Sequence, residues 1–358
     1  MSRSWPPASR RRHPVEKAAT RAPWLSIMAS ARTLFVCLCV LLADFLPADF
    51  LPADFLRADS ASAQAPSAPE APRARPLDQE PITPVRPPAP ADPRRLALGE
   101  RLYSDPRLSG DGKLTCSSCH DLRTNGARSG GGKAAHDGSK MSFDTLTVFN
   151  AARNFRLNWE GNFRSLEAQA ESSLENPANL GTSVAEVVRK LNADPQMVSQ
   201  FQAAYGRRPD RASFLDALAT FERSLVTPGS RFDRWLEGDA SALTPAELDG
   251  YALFKSLGCS SCHQGANVGG NLFERHGIFH PLASPDPAIV RVPSLRNVAV
   301  TAPYFHDGSA PTLGDAVHEM ARAQLDRTLS DQQVDSLVAF LKTLTGIYRG
   351  KLVGGGEP

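Results

Sequence analysis

The pentapeptide Cys-Ser-Ser-Cys-His occurs at residues 116–120 and again at 259–263, and no other feature constrains the fold of this chain as tightly. Two cysteines three residues apart on a helical turn face the same way, so both thiols reach the vinyl groups of one porphyrin. The adjacent histidine then reaches the iron, and the whole run is the attachment signature of a c-type haem. Two copies predict two haems, held by Cys116, Cys119 and His120 and by Cys259, Cys262 and His263. Zinc is the competing reading, but a zinc ribbon pairs one CxxC with another inside a short module. Here the pairs begin at residues 116 and 259, a separation that predicts two domains with one haem each.

A chain of 358 residues has room for two domains. Its formal charge is only +2, with much of the arginine in the first hundred residues, so nucleic-acid binding has little support. From Met28 a basic lead, an apolar run to Leu42 and small residues ending in Ala63-Gln64-Ala65 read as a secretory signal over residues 1–65. The destination this implies is the periplasm. A tandem Ala-Asp-Phe-Leu repeat over residues 43–57 lengthens the leader, and Met28 competes with Met1 as the start. A membrane anchor is the alternative, although the apolar run is shorter than the roughly 20 residues needed to span a bilayer. Cys37 and Cys39 would leave with the leader, so the remaining four cysteines all belong to the haem motifs and no disulfide is expected. Residues 66–95 are rich in Pro, Ala, Glu and Arg, a composition that predicts a disordered tether.

Apolar spacing predicts helices from about Pro93 to Tyr103, over 184–205 and over 213–226, the last with a stripe of Phe214, Leu215, Leu218, Phe221 and Leu225. Thr244-Pro245-Ala246-Glu247 joins an N-cap, a first-turn proline and a capping-box glutamate ahead of the second haem motif. Ser330-Asp331-Gln332-Gln333 opens a final helix to about Thr345. No run alternates long enough to argue a sheet. The expected class is all-α: two cytochrome c-like domains, residues 96–228 and 229–350.

The residues around the haem motifs resemble the bacterial dihaem cytochrome c peroxidases. The likeness runs from Leu96 to Gly346 and is strongest in Val292–Asn297, Thr301–Gly308, Ala316–Met320 and Val338–Gly346. In the first domain it rests on Tyr103–Ser109, Val148–Ala151 and Ser165–Ala170. The resemblance implies that hydrogen peroxide is reduced at the N-terminal haem while electrons from a small cytochrome c or copper protein enter through the C-terminal one. It implies Met320 as sixth ligand of the second haem iron, with a core methionine as the alternative. It implies His136, in a glycine-rich loop, as a removable ligand of the first haem iron, with a solvated loop histidine as the alternative. Trp159 falls on the family's electron route between the haems, and an aromatic core residue explains it equally well. Asp144, with the carbonyls of Thr301 and Pro303, falls where the family binds an interdomain Ca²⁺, although the family usually carries asparagine at the first of these positions. Family dimers make a homodimer an expectation that no residue here specifies.

The likeness fails in the peroxide pocket. Peroxide cleavage needs a group that takes a proton from one oxygen and returns it to the other. Gln169 matches the family's glutamine, but Asn179 stands where the glutamate should be, and an amide cannot carry a proton. Glu175 is the substitute candidate. The family's Arg-Asn-Ser-Pro-Thr run is likewise replaced by Ser142–Thr147. The alternatives to a peroxidase are therefore a dihaem electron-transfer or peroxide-sensing protein and, resembled least, the dihaem enzyme that matures methylamine dehydrogenase, which has tyrosine at the place of Met320. His306 is expected to pack and hydrogen-bond near the domain interface, and His276, His280 and His318 to be solvated.

Overall fold

Each half of the folded chain is organised by two helices that cross at a glycine. The computed structural model describes residues 79–127 and 143–355. In the first half, α1 (Pro93–Tyr103) is capped by Asp92, which accepts from the Arg94 amide, and starts with proline at its first position. It buries Leu98, Gly99, Leu102 and Tyr103. The first haem motif forms the single turn α2 (Cys116–Cys119) behind a Thr115 capping box.

Next come α3 (Leu166–Glu175), α4 (Val184–Asn192), α5 (Pro195–Tyr205) and α6 (Arg211–Ser224). The apolar stretch 184–205 is thus two helices. Pro195 has no amide hydrogen and starts a new helix capped by Asp194. α6 buries the expected stripe, and a Cβ placed on Gly99 would lie 2.0 Å from the Ala217 carbonyl oxygen and 2.8 Å from Phe221 Cβ. Only glycine allows α1 and α6 to approach so closely. Tyr103, one turn on, meets Phe221 edge to face at 5.2 Å.

The second half repeats the device. After α7 (Arg231–Leu236), α8 (Pro245–Ser256) starts at the expected Thr244 capping box and ends just before the second haem motif. α9 (Leu313–Leu325) follows, and α10 (Asp331–Lys342) closes the half. A Cβ on Gly250 would lie 2.0 Å from the Ser336 carbonyl oxygen of α10, and Phe254, one turn on, meets Phe340 at 5.1 Å. The core here centres on Phe232, Tyr251, Phe254, Phe340 and Leu344.

Sheet is minor, yet present. β1 (Phe273–Arg275) pairs antiparallel with β2 (Ile289–Arg291), Glu274 opposite Val290, and β3 (Ile347–Tyr348) pairs with β4 (Lys351–Leu352). Both hairpins are too short to leave an alternating pattern in the sequence.

The proline-rich tether needs correction over residues 79–92. Ile82 and Val85 are 0% and 2% exposed, and Ile82 belongs to the second-half core. The Gly265 amide donates to the Pro81 carbonyl, Arg296 to the Thr83 carbonyl, and the Val85 amide donates to Asp233. Two apolar side chains and a set of backbone bonds anchor a segment whose average composition looks unfoldable. The chain end also crosses the expected boundary. Val353 is buried with Tyr103, Phe149, Phe221 and Leu225 of the first half, and the Gly354 amide donates to the Thr124 carbonyl. A buried polar spine joins the halves: Asn150 and Thr227 bond each other twice, Asn297 donates to Thr227 at 3.1 Å, and Asn297 accepts from the Gly346 amide at 2.9 Å.

Candidate functional site

The second haem motif opens onto a largely apolar cavity. Cys259 and His263 line it with Met320 of α9, and the remaining wall includes Phe254, Leu257, Leu313 and Leu341. The motif itself is a 3-10 turn, Cys259–Ser261, rather than α-helix. His263 is held neutral: burial pushes its ring down to about 4, against the pull of the Val268 and Pro293 carbonyls. Its Nδ1 lies 3.3 Å from the Val268 carbonyl, which can only accept. The proton therefore sits on Nδ1, leaving the Nε2 lone pair for a metal.

The wall opposite the core comes from the first half. Asp144, Thr145, Leu146, Thr147 and Trp159 line the same cavity. Trp159 is half-buried, its Nε1 donates to the Asp144 carbonyl at 2.9 Å, and its own carbonyl accepts from the Arg291 amide at 2.7 Å. It is a half-buried, hydrogen-bonded residue of the cavity wall. Thr301 and Pro303 line the same cavity as Asp144, the single carboxylate among the three calcium candidates. His306 is 3% exposed, as expected of a packing residue, and its ring lies 6.2 Å from Trp159 and 5.0 Å from His276.

His276 corrects an expectation. It is not solvated: Nδ1 lies 2.7 Å from the Leu282 carbonyl and Nε2 lies 2.6 Å from the Pro287 carbonyl. Both ring nitrogens thus face backbone carbonyls rather than solvent. His280 bonds Asp326 at the surface, and His318 is also part-exposed.

At the first motif, burial also lowers His120, whose Nδ1 lies 3.1 Å from the Gly126 carbonyl. The Tyr103 hydroxyl reaches the His120 carbonyl at 3.4 Å. Cys116 packs between the two first-half core clusters, and its thiol is pushed up to about 12 by burial and then by the Glu222 charge. Gln169 bonds within its own helix to Ser173 at 2.9 Å. Glu175 is exposed at the end of α3, so nothing in its surroundings makes it a buried acid. Asn179 is half-buried in the following turn. His136 lies outside the described residues, as do Ser142 of the altered run, the leader and residues 66–78 of the tether.

The residues fit haem better than zinc. Among the described residues no three His, Cys, Asp or Glu side chains are grouped so as to hold a metal ion. A haem needs none, because the porphyrin supplies four nitrogens. The second cavity also contains Arg291, 3% exposed and paired with no carboxylate among the described residues; its guanidinium donates only to the Asn158 and Val292 carbonyls. A buried unneutralised guanidinium suits a ligand that brings acid groups, as haem propionates do. Sequence reading missed Arg291, Asp233 and Glu222, because a lone charged residue carries no sign of its burial.

Comparison with known proteins agrees with this geometry. The family model described as di-haem cytochrome c peroxidase matches residues 93–241, and the cytochrome c model matches 248–345. The chain is 40% identical over 285 residues to the cytochrome c551 peroxidase of Nitrosomonas europaea, covering 75% of this chain and 84% of that protein. It is 38% identical to the cytochrome c peroxidase Ccp of Escherichia coli over 75% of this chain and 62% of that protein. A solved MauG-like protein associated with microbial copper homeostasis superposes with TM-score 0.65 at 28% identity, covering 75% of this chain and 94% of that one. With two haem-type cysteine-histidine turns, two glycine-crossed helix pairs and relatives of this identity and coverage, the chain belongs to the dihaem cytochrome c peroxidase family.

Proposed function

We propose that the chain reduces hydrogen peroxide to water at a haem carried by Cys116, Cys119 and His120, using electrons from a small cytochrome c or copper protein. The electrons enter through a second haem, carried by Cys259, Cys262 and His263 and closed by Met320. The observation that carries this reading is the cavity shared by His263 and Met320, which first-half residues also line. A haem with histidine and methionine ligands has a raised reduction potential and takes electrons without opening to substrate.

The bound haems supply the redox chemistry, and the chain holds and orients them. His263 and His120 are kept neutral by burial and aimed by the carbonyls of Val268 and Gly126. Trp159, tied to Asp144 and Arg291, stands in the wall between the first half and the second cavity and is assigned to the electron route. Asp144 with the Thr301 and Pro303 carbonyls is assigned to Ca²⁺, whose oxygen preference they satisfy. His136 is assigned as the ligand that leaves the first haem on reduction of the second. Gln169 is placed beside peroxide, and proton transfer falls to an acid other than Asn179. The leader directs the chain to the periplasm, where it acts as a homodimer.

The test is a half-reduced spectrum combined with a donor assay. Reducing the second haem should produce a five-coordinate high-spin first haem and peroxide-dependent oxidation of the donor. Met320→Leu should remove the methionine signature, and each 59 mV by which it lowers that haem's potential makes electron acceptance about tenfold weaker. Asn179 and the exposed Glu175 favour a second reading, an electron-transfer or peroxide-sensing protein. A first haem that stays six-coordinate in the half-reduced protein decides for that reading.

A further inference from the structure

One half-buried acidic side chain near the first haem motif has a carboxyl oxygen shut off from solvent with no hydrogen-bond partner among the described residues. Glu222 stands in the last turn of α6, and its Oε2 is buried without a hydrogen-bond partner among the described residues. A buried carboxylate in that position would be costly, whereas a protonated carboxyl is tolerated. Arg223, the cation on the same turn, is turned to Glu167 of α3. The other ionisable groups facing Glu222 are Tyr103 from α1, Glu167 from α3 and Cys116 from α2, none of them cationic. Arg153, on the 3-10 turn that α6 also meets, donates to the Arg86 carbonyl. Burial, followed by the Glu167 charge, pushes the Glu222 carboxyl up to about 8. Its charge in turn raises the Cys116 thiol and the Tyr103 hydroxyl, so it lies within electrostatic reach of the haem attachment point.

We propose that Glu222 is a redox-linked proton site of the first haem. With haem bound, an electron delivered to it would, wherever Glu222 is ionised, draw one proton from solvent onto the Glu222 carboxylate. When the electron leaves, the carboxyl O–H bond breaks and the proton returns. The inference rests on the reading that Cys116 carries a haem. It gives that haem an acid near its attachment point, and reduction of one peroxide to two waters consumes two protons.

The experiment is a spectroelectrochemical titration of the first haem across pH in the holoprotein and in Glu222→Gln, whose amide keeps the shape and cannot ionise. In the native protein the midpoint should fall as pH rises through about 8. The limit is a tenfold change in the equilibrium per pH unit, about 59 mV for a one-electron couple. In Glu222→Gln that slope should vanish, and an unchanged slope overturns the proposal. Redox-difference infrared spectra of the native protein give an answer even if the variant fails to load haem. A protonated-carboxyl band that appears on reduction once the pH has risen through about 8 supports the site, and its absence there rejects it. Haem counting separates the two levels: Cys116→Ala with Cys119→Ala should lose one haem, and retention of both would remove the reading on which Glu222 depends.

Discussion

The two haem-bearing halves share a frame and differ in how they bury charge. Both cross an entry helix over a closing helix at a glycine, Gly99 against Ala217 and Gly250 against Ser336, and both back the crossing with an aromatic pair. In the second half the buried acid is paired. Asp233 and Arg296 are each 1% exposed and 2.8 Å apart, and Arg296 also donates to Ala266, Ser230 and Thr83. The first half holds an acid of each kind: Asp105, 6% exposed, is bridged by Arg107, whereas half-buried Glu222 has a solvent-shielded oxygen with no partner among the described residues. A satisfied ion pair gives a rigid wall, and an unsatisfied acid gives a group free to gain and lose a proton. The difference matches the proposed division between a closed electron port and a site where protons are consumed.

The largest expected effect comes from breaking the buried pair. Arg296→Met leaves Asp233 as a buried charge without its cation and releases the 79–92 segment from its Thr83 anchor. The expected cost is about 3–5 kcal/mol, read as a drop in the denaturant midpoint. Its first-half counterpart is Arg107→Met, which breaks a bridge to Asp105, 6% exposed, and Asp194; because Arg107 is itself 28% exposed, the cost should be smaller, about 1–3 kcal/mol. Equal losses at the two positions would erase the contrast between the halves.

The next effect depends on pH and changes sign with the unpaired acid. Glu222 has its folded-state affinity for protons raised, to about 8, above the ordinary carboxyl range of the unfolded chain. The folded state therefore binds more protons between those limits. The stability Glu222 contributes is fully present below the unfolded pKa and is lost as pH rises through about 8. Glu222→Gln should flatten this decline, becoming more stable than the native chain by a few kcal/mol at alkaline pH while matching it at acid pH. Parallel stability-pH curves for the two proteins would show that the native oxygen finds a partner after all.

These contrasts also explain what the sequence could and could not reveal. The haem turns, the all-α class, the Thr244 and Ser330 capping boxes and the α6 stripe were legible because each is a local pattern: fixed spacing, a cap, a period of 3.6. Met320 was singled out through the resemblance, and it lines the same cavity as His263. The segment 79–92 was misread because its order comes from distant partners, Asp233, Gly265 and Arg296, which no window around Ile82 contains. Arg291, Asp233 and Glu222 were missed for the same reason. Burial of a charge is a property of the whole fold, and the residue type alone argues for the surface.

The shared frame itself is tested by adding one carbon at each crossing. Gly99→Ala and Gly250→Ala each force a methyl against a backbone carbonyl that has no rotamer to yield. Overpacking of this kind costs about 1–3 kcal/mol, so melting temperatures should fall by roughly 2–4 °C for each kcal/mol lost. If the two crossings are equivalent, the two drops should agree. A drop at Gly250 alone would mean that the second half, which also carries the 79–92 anchor, sets the stability of the whole unit.

The smallest contrast lies in the haem turns. The first begins with Thr115, whose hydroxyl accepts from the Ser118 amide at 3.1 Å while the Ser118 hydroxyl receives the Thr115 amide at 3.0 Å. The second begins without a side-chain cap and coils more tightly, as a 3-10 turn. Thr115→Ala should therefore cost about 1 kcal/mol, typical of a lost N-cap. The α-turn that aims Cys116 and Cys119 at one porphyrin is held by that cap in the apo chain, and by two covalent bonds once haem is attached. The loss should accordingly be seen in the unloaded protein and in the yield of haem attachment, and fade in the holoprotein. A loss of equal size in both states would mean that Thr115 holds something beyond its own turn.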